Sequence, residues 1–224
     1  MKRIKLKDRE LPNYTRCEEI WNMITHIIGG ALGIVSLVLC VIFSAIKGNV
    51  YGIIGSSIFG LMMILLYTMS SIYHGLKNKG TAKKVFQIID HCTIFLLIAG
   101  TYTPVTLGPI REYNSFTGWS LFGFIWFLAI IGIILNAIDL KKYNVFSIIC
   151  YLGMGWAIVA LGTKFVEIVG LSAVIFLLIG GLLYTIGVIF YGFGSKIRYF
   201  HTVFHVFCVL GSLMHFFCVL FYII

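Results

Sequence analysis

Along the chain, long apolar runs alternate with short polar clusters. Seven runs come close to the roughly 20 residues that an α-helix needs to cross a bilayer: 21–46, 51–75, 86–107, 117–138, 144–163, 170–193 and 200–222. The fifth, interrupted by Gly153, Gly155 and Gly162, has the weakest pattern. The connections are too short to hold a domain outside the membrane. No internal repeat is visible, which argues against the repeat-built transporter folds. The pattern predicts an all-α protein: one integral membrane domain over residues 1–224, a bundle of seven transmembrane helices preceded by a basic arm at 1–20. Gly29 and Gly33 have the small-xxx-small spacing that lets two helices approach closely.

Composition supports the same class. Hydrophobic residues make up 60% of the chain and charged residues 11%, a balance that excludes an ordinary soluble domain. The charges also orient the bundle. Of 17 Lys and Arg, fourteen fall in the N-terminal arm (Lys2, Arg3, Lys5, Lys7, Arg9, Arg16) and in the second, fourth and sixth connections (Lys77, Lys79, Lys83, Lys84, Lys141, Lys142, Lys196, Arg198). Lys47, Arg111 and Lys164 fall on the other side. By the positive-inside rule the N-terminus is expected in the cytoplasm and the C-terminus outside. The net charge of +9 is then a matter of topology. The arm is expected to rest on anionic lipid headgroups, not on nucleic acid. No cleavable signal peptide is expected, because the first apolar run is too long for an h-region. The cysteines form no CxxC pair, and five of the six lie within apolar runs as small hydrophobes.

Polar residues inside the runs carry the chemistry, since burying them in a membrane must be compensated. Counted from Lys77, His74 lies about three residues inside the second run and Ser70 about seven. Counted from Lys84, Asp90 lies six residues inside the third. Counted from Arg198, His201 and His205 lie three and seven residues inside the seventh. At the rise of an α-helix, all five fall roughly 4 to 11 Å below one membrane face. His201 and His205, four residues apart, share a helix face, and so do Ser70 and His74. Three imidazoles beside a carboxylate suit Zn2+, with a fourth position left for water. Asp90 would bind the ion directly or through that water, and Ser70 would supply a supporting hydrogen bond. Each piece also has a plain reading. An HxxxH pair can bond carbonyls near the interface, Ser70 can bond its own i−4 carbonyl, and Asp90 can be a proton relay or a structural acid.

Weaker candidates surround these. Asn22 and His26 share a face of the first run behind the acidic pair Glu18 and Glu19, and are expected to support the ligands or to bond another helix. His91 projects about 100° away from Asp90, so the two are not expected to face one centre. His215 lies about 15 Å deeper than His205, as an interhelical bonding residue or the lining of a substrate cavity. Pro104 is expected to kink or end the third helix.

Taken together, "EEIWNMITHIIG", "SSIYH", "DHCTIFLLIAGTYTP", "HTVFHVF" and "GSLMHF" resemble the hemolysin III branch of the progestin and adipoQ receptor superfamily. These are seven-helix membrane proteins grouped with the alkaline ceramidases. The resemblance implies zinc on His74, His201 and His205 near the cytoplasmic face. It also implies Asp90 acting through a water on the metal, Ser70 as the serine of the SxxxH motif, and a membrane lipid as substrate. The expected function is zinc-dependent hydrolysis of a lipid acyl amide or ester. The alternatives are a cytolytic membrane protein, as the family label suggests, or a receptor or sensor of membrane state in which zinc only braces the bundle.

Overall fold

The computed structural model describes residue 4, residues 6–77 and residues 80–224. Lys2, Arg3, Lys5 and Lys79, counted among the basic-side charges, lie outside the described residues, as does the side chain of Lys7. Seven helices are long and apolar enough to cross a membrane. Their α-helical parts are, in chain order from first to seventh, Arg16–Ile46, Val50–Gly75, Thr81–Val105, Ser115–Asp139, Asn144–Trp156, Leu171–Phe193 and Phe200–Cys218, and further helical turns carry the third, fifth and seventh spans on to Tyr113, Leu161 and Ile223. The described residues contain no strand. Outward-facing side chains such as Ile28, Phe127 and Ile189 are exposed and apolar, the surface that acyl chains solvate and water does not. The expected class, an all-α bundle of seven transmembrane helices, is the one that forms.

Helix ends differ from the hydropathy boundaries for local reasons. The first helix starts at Arg16, five residues before the apolar run. Thr15 accepts from the Glu18 amide, and the Glu18 carboxylate accepts from the Thr15 amide. That reciprocal cap satisfies two amides that would otherwise lack partners. The third helix runs through Pro104 and ends one residue later, and the chain then kinks within Thr106–Ile110 at Gly108, whose backbone is not helical (φ −88°, ψ −111°). Pro104 has no amide hydrogen to donate back to the preceding turn. Nearby threonines bond the carbonyls one turn back, with Thr103 Oγ1 donating to the Ala99 carbonyl at 2.8 Å. The fifth helix tightens into a 3₁₀ turn over Ala157–Leu161, in the run that has the weakest pattern.

Close packing of the first two helices depends on the predicted glycine pair. A Cβ on Gly29 would lie 2.6 Å from the Tyr67 ring, and one on Gly33 would lie 3.0 Å from the Ile64 amide nitrogen. Tyr67 reaches on across the bundle: its hydroxyl donates to the Cys208 carbonyl at 3.0 Å and lies 2.6 Å from Ser212 Oγ. The second helix is thereby held against both the first and the seventh. Gly33→Leu is expected to lower stability by about 1–3 kcal/mol, the usual cost of overpacking. Gly123→Leu, where a Cβ meets nothing within 4 Å, should stay within about 0.5 kcal/mol of wild type. Thermal unfolding of both variants in the same detergent checks the contrast.

Candidate metal centre

His201 and His205 project from one face of the first turns of the seventh helix, with their Nε2 atoms 3.1 Å apart. His74, at the end of the second helix, turns its ring towards them, its centroid 5.3 Å from that of His201 and 5.0 Å from that of His205. One nitrogen from each of the three rings lies within 4.8 Å of the other two, and all three residues are buried. The spacing of the HxxxH pair and the depth of His74 had pointed to this convergence. Among the described residues, that donor group contains no carboxylate.

For His74 and His205 the far side of the ring sets which nitrogen faces inward, whereas His201 Nδ1 is buried with no hydrogen-bond partner among the described residues. His74 donates Nδ1–H to Glu19 Oε2 at 2.6 Å, leaving Nε2 as an acceptor that is buried and has no hydrogen-bond partner among the described residues. His205 donates Nδ1–H to the Asn22 carbonyl at 3.1 Å, so its Nε2 also carries a lone pair. A carboxylate or carbonyl behind an imidazole fixes its tautomer and strengthens the opposite nitrogen as a ligand. The Asn22 side-chain amide lies 3.5 Å from His74 Nδ1. It is a neighbour and not the partner, because Nδ1 has only one hydrogen and Glu19 accepts it. Asn22 Oδ1 instead accepts from Thr202 Oγ1 at 2.5 Å. Asn22 therefore contacts two of the three ligand-bearing regions, as its position behind the acidic pair suggested.

Glu19 is the main residue that sequence reasoning passed over. Its other oxygen accepts from Lys83 Nζ at 2.5 Å, and Lys83 also donates to the Leu76 carbonyl at 2.9 Å. A lysine counted only as a topological charge thus neutralises the acid that orients a ligand. The available signal was Glu19, Asn22 and His26 recurring at i, i+3 and i+7, which is one helix face. Tyr14 was also passed over. Its ring stacks on His201 at 4.9 Å with the planes 22° apart, and lies 6.1 Å from His74. Burial first, then the Tyr191 phenol and the carboxylates of Glu19 and Asp90, hold the Tyr14 hydroxyl protonated far above its usual range.

The remaining candidates take distinct places. His26 lies flat against His205, centroids 3.6 Å apart and planes 7° from parallel, and touches the site by stacking. Ser70 Oγ is buried without a hydrogen-bond partner among the described residues. The neighbouring Ser71 is the one that bonds its i−4 carbonyl, at 2.7 Å from Tyr67 O. Asp90 is buried, with Oδ2 3.7 Å from His91 Nδ1. His91 is held elsewhere, Nδ1 donating to the Gln87 carbonyl at 2.8 Å and Nε2 lying 3.2 Å from the Tyr191 hydroxyl. His215 donates to the Leu177 carbonyl of the sixth helix at 3.3 Å, an interhelical bond well below the three imidazoles.

A divalent ion fits this donor set. Around a tetrahedral zinc with 2.0–2.1 Å bonds, adjacent nitrogens stand about 3.3 Å apart, close to the 3.1 Å separation of His201 and His205. One shared proton would satisfy that pair but would leave His74 Nε2 unserved. An ion serves all three.

A model of the family described as haemolysin-III related matches residues 14–216. The chain belongs to the haemolysin III family. It is 42% identical to the hemolysin-3 homolog of Bacillus subtilis strain 168 over 210 residues, covering 93% of this chain and 96% of that one. It is 39% identical to hemolysin-3 of Bacillus cereus over 207 residues, 92% of each chain. The human monocyte to macrophage differentiation factor is 28% identical over 167 residues, 72% of this chain and 67% of the relative. With its seven apolar helices, this haemolysin III protein is a multi-pass integral membrane protein.

The match takes in Tyr14, Glu19 and every histidine of the centre. In this haemolysin III protein, Glu19→Gln is expected to weaken metal binding about 10–100-fold by loosening His74, and His205→Ala to weaken it further. Titrating metal-free protein with cobalt(II), followed by its visible absorption, checks both.

Proposed function

We propose that the chain is a membrane-embedded zinc hydrolase that cleaves the acyl amide or ester of a lipid, with its site on the cytoplasmic side. The observation that carries this reading is a donor set of three imidazoles beside an apolar cavity. Structural zinc sites are closed by four protein ligands, whereas catalytic ones keep three and leave a position for water or substrate. The cavity, about 430 Å³, lies among the third, fifth, sixth and seventh helices and is lined by Tyr191 and Phe204 at one end and by Val105 and Phe165 at the other. Phe204 and Tyr191 also pack against His201, at 5.6 and 6.1 Å between ring centroids. The volume is in the range that encloses a ligand's apolar body, and its wall touches the candidate centre.

Zinc, when bound, would supply a Lewis acid for the acyl carbonyl and lower the pKa of a water molecule towards neutrality. Asp90, buried on the third helix, takes a proton from the attacking water. It then returns that proton to the leaving amine or alcohol as the acyl bond breaks. Ser70 offers its buried hydroxyl to position the water. Glu19 and the Asn22 carbonyl hold His74 and His205 in the tautomers that face the centre. The acyl chain lies in the cavity below Phe204.

Purified protein is expected to contain about one zinc per chain and to release fatty acid from at least one member of a panel of N-acyl and O-acyl lipids. Asp90→Asn should retain the metal and lose a factor of about 10²–10⁴ in kcat, the usual contribution of a general base. Full zinc occupancy in folded protein without hydrolysis of any lipid would overturn the enzyme reading and favour an ion that braces the bundle.

A further inference from the structure

The segment that leads into the first helix crosses the end of the bundle where the three imidazoles lie. Tyr14 is the last residue before the Thr15 cap, and both sides of it are anchored. Behind it, the Glu18 carboxylate binds Thr15 through Oε2 and accepts the Tyr199 amide at 2.9 Å through Oε1. That bond ties the start of the first helix to the start of the seventh, two residues from His201. Ahead of it, the Ile4 amide donates to Asp139 Oδ2 on the fourth helix at 2.9 Å, and Arg9 is buried. Between these anchors the Tyr14 ring lies against His201. His201 is 7% exposed and His74 is fully buried, although both sit within a turn or two of a helix end, where a side chain would ordinarily meet water.

We propose that Tyr14 is the gate between the three-imidazole centre and the aqueous phase, held shut by stacking of its ring on His201 and by the anchor at Asp139. The aqueous route is then covered while the apolar cavity adjoins the centre from within the membrane, so a lipid acyl group and the water that attacks it arrive by different paths. Gating belongs to the aromatic ring. The hydroxyl is not needed for it.

The test uses the full chain in lipid nanodiscs and does not depend on which metal binds. In metal-free protein, the rate at which diethyl pyrocarbonate modifies His201, read by peptide mass spectrometry, should rise roughly two- to tenfold in Tyr14→Ala, the size of effect a single ring contact supports. Tyr14→Phe should react at the wild-type rate. Asp139→Ala, on another helix, should raise the rate as Tyr14→Ala does, while unfolding temperatures show that all variants remain folded. A wild-type rate in Tyr14→Ala, or a rate in Tyr14→Phe as fast as in Tyr14→Ala, would overturn the gate. In zinc-loaded protein, release of the ion to a water-soluble chelator should follow the same order. Wild-type protein that takes up no zinc would instead count against the hydrolase reading, and the labelling result would still decide the gate.

Discussion

Three imidazole nitrogens directed at one another inside a membrane bundle constrain everything around them. His74 Nε2 is buried with no hydrogen-bond partner among the described residues, and an unsatisfied buried acceptor costs about 1–3 kcal/mol. The other two lie 3.1 Å apart, close enough to share one proton. A divalent cation at their common focus would serve all three. The groups behind the rings then become intelligible, because Glu19 and the Asn22 carbonyl withdraw the ring hydrogens to the outside and leave lone pairs inside. Lys83 in turn sets a positive charge against the other oxygen of Glu19 inside the bundle. The chain of contacts from Lys83 through Glu19 to His74 exists to make one nitrogen a better donor.

Adjacent residues of the first helix divide the task of assembling that focus. Glu18 and Glu19 are about 100° apart around the helix axis, so one turns towards the seventh helix and the other towards the second. Glu18 binds the Tyr199 amide, and Tyr199 has the left-handed backbone (φ 63°) that begins the seventh helix. That conformation is strained for a residue with a side chain by roughly 1–2 kcal/mol, and the bond to Glu18 helps offset it. Glu19 binds His74. A single helical turn therefore sets the position of the HxxxH pair and the orientation of the third imidazole.

Depth in the membrane was legible in the sequence because helical rise hardly varies. Counting from Lys77 and Arg198 put His74, His201 and His205 at one level, and that is where their rings meet. Rotation was harder to read. A helix that is apolar on nearly all sides gives no stripe to say which face turns inward, so depth alone suggested Asp90 as a ligand beside the imidazoles, whereas the donors that converge among the described residues are His74, His201 and His205. Asp90 Oδ2 comes within 3.7 Å of His91 Nδ1 although the two are consecutive, while Gln87 and Tyr191 hold the His91 ring. Glu19 and Tyr14 were missed because hydropathy began the first span at residue 21. The capping box at Thr15 carries the helix outward over residues that a hydropathy profile assigns to a solvated arm.

The depth of the centre also bears on its chemistry. In a membrane lipid, the amide or ester that joins acyl chain to headgroup lies at the boundary between hydrocarbon and polar layers, and the three imidazoles lie roughly 4 to 11 Å inside the span ends by helical rise. A bracing ion would do its work at any depth and would need no cavity beside it. An ion that acts on a lipid linkage must sit near that boundary, with space below for the chain. Phe204 stands between the two requirements: its ring packs on His201 and His205 on one side and lines the cavity on the other. Because it lies three residues after His201 and one before His205, its place follows from the same helical turn that brings the ligands together. In the proposed reaction, the geometry that brings the imidazoles together would therefore also set how far an acyl chain could rise before its carbonyl met them.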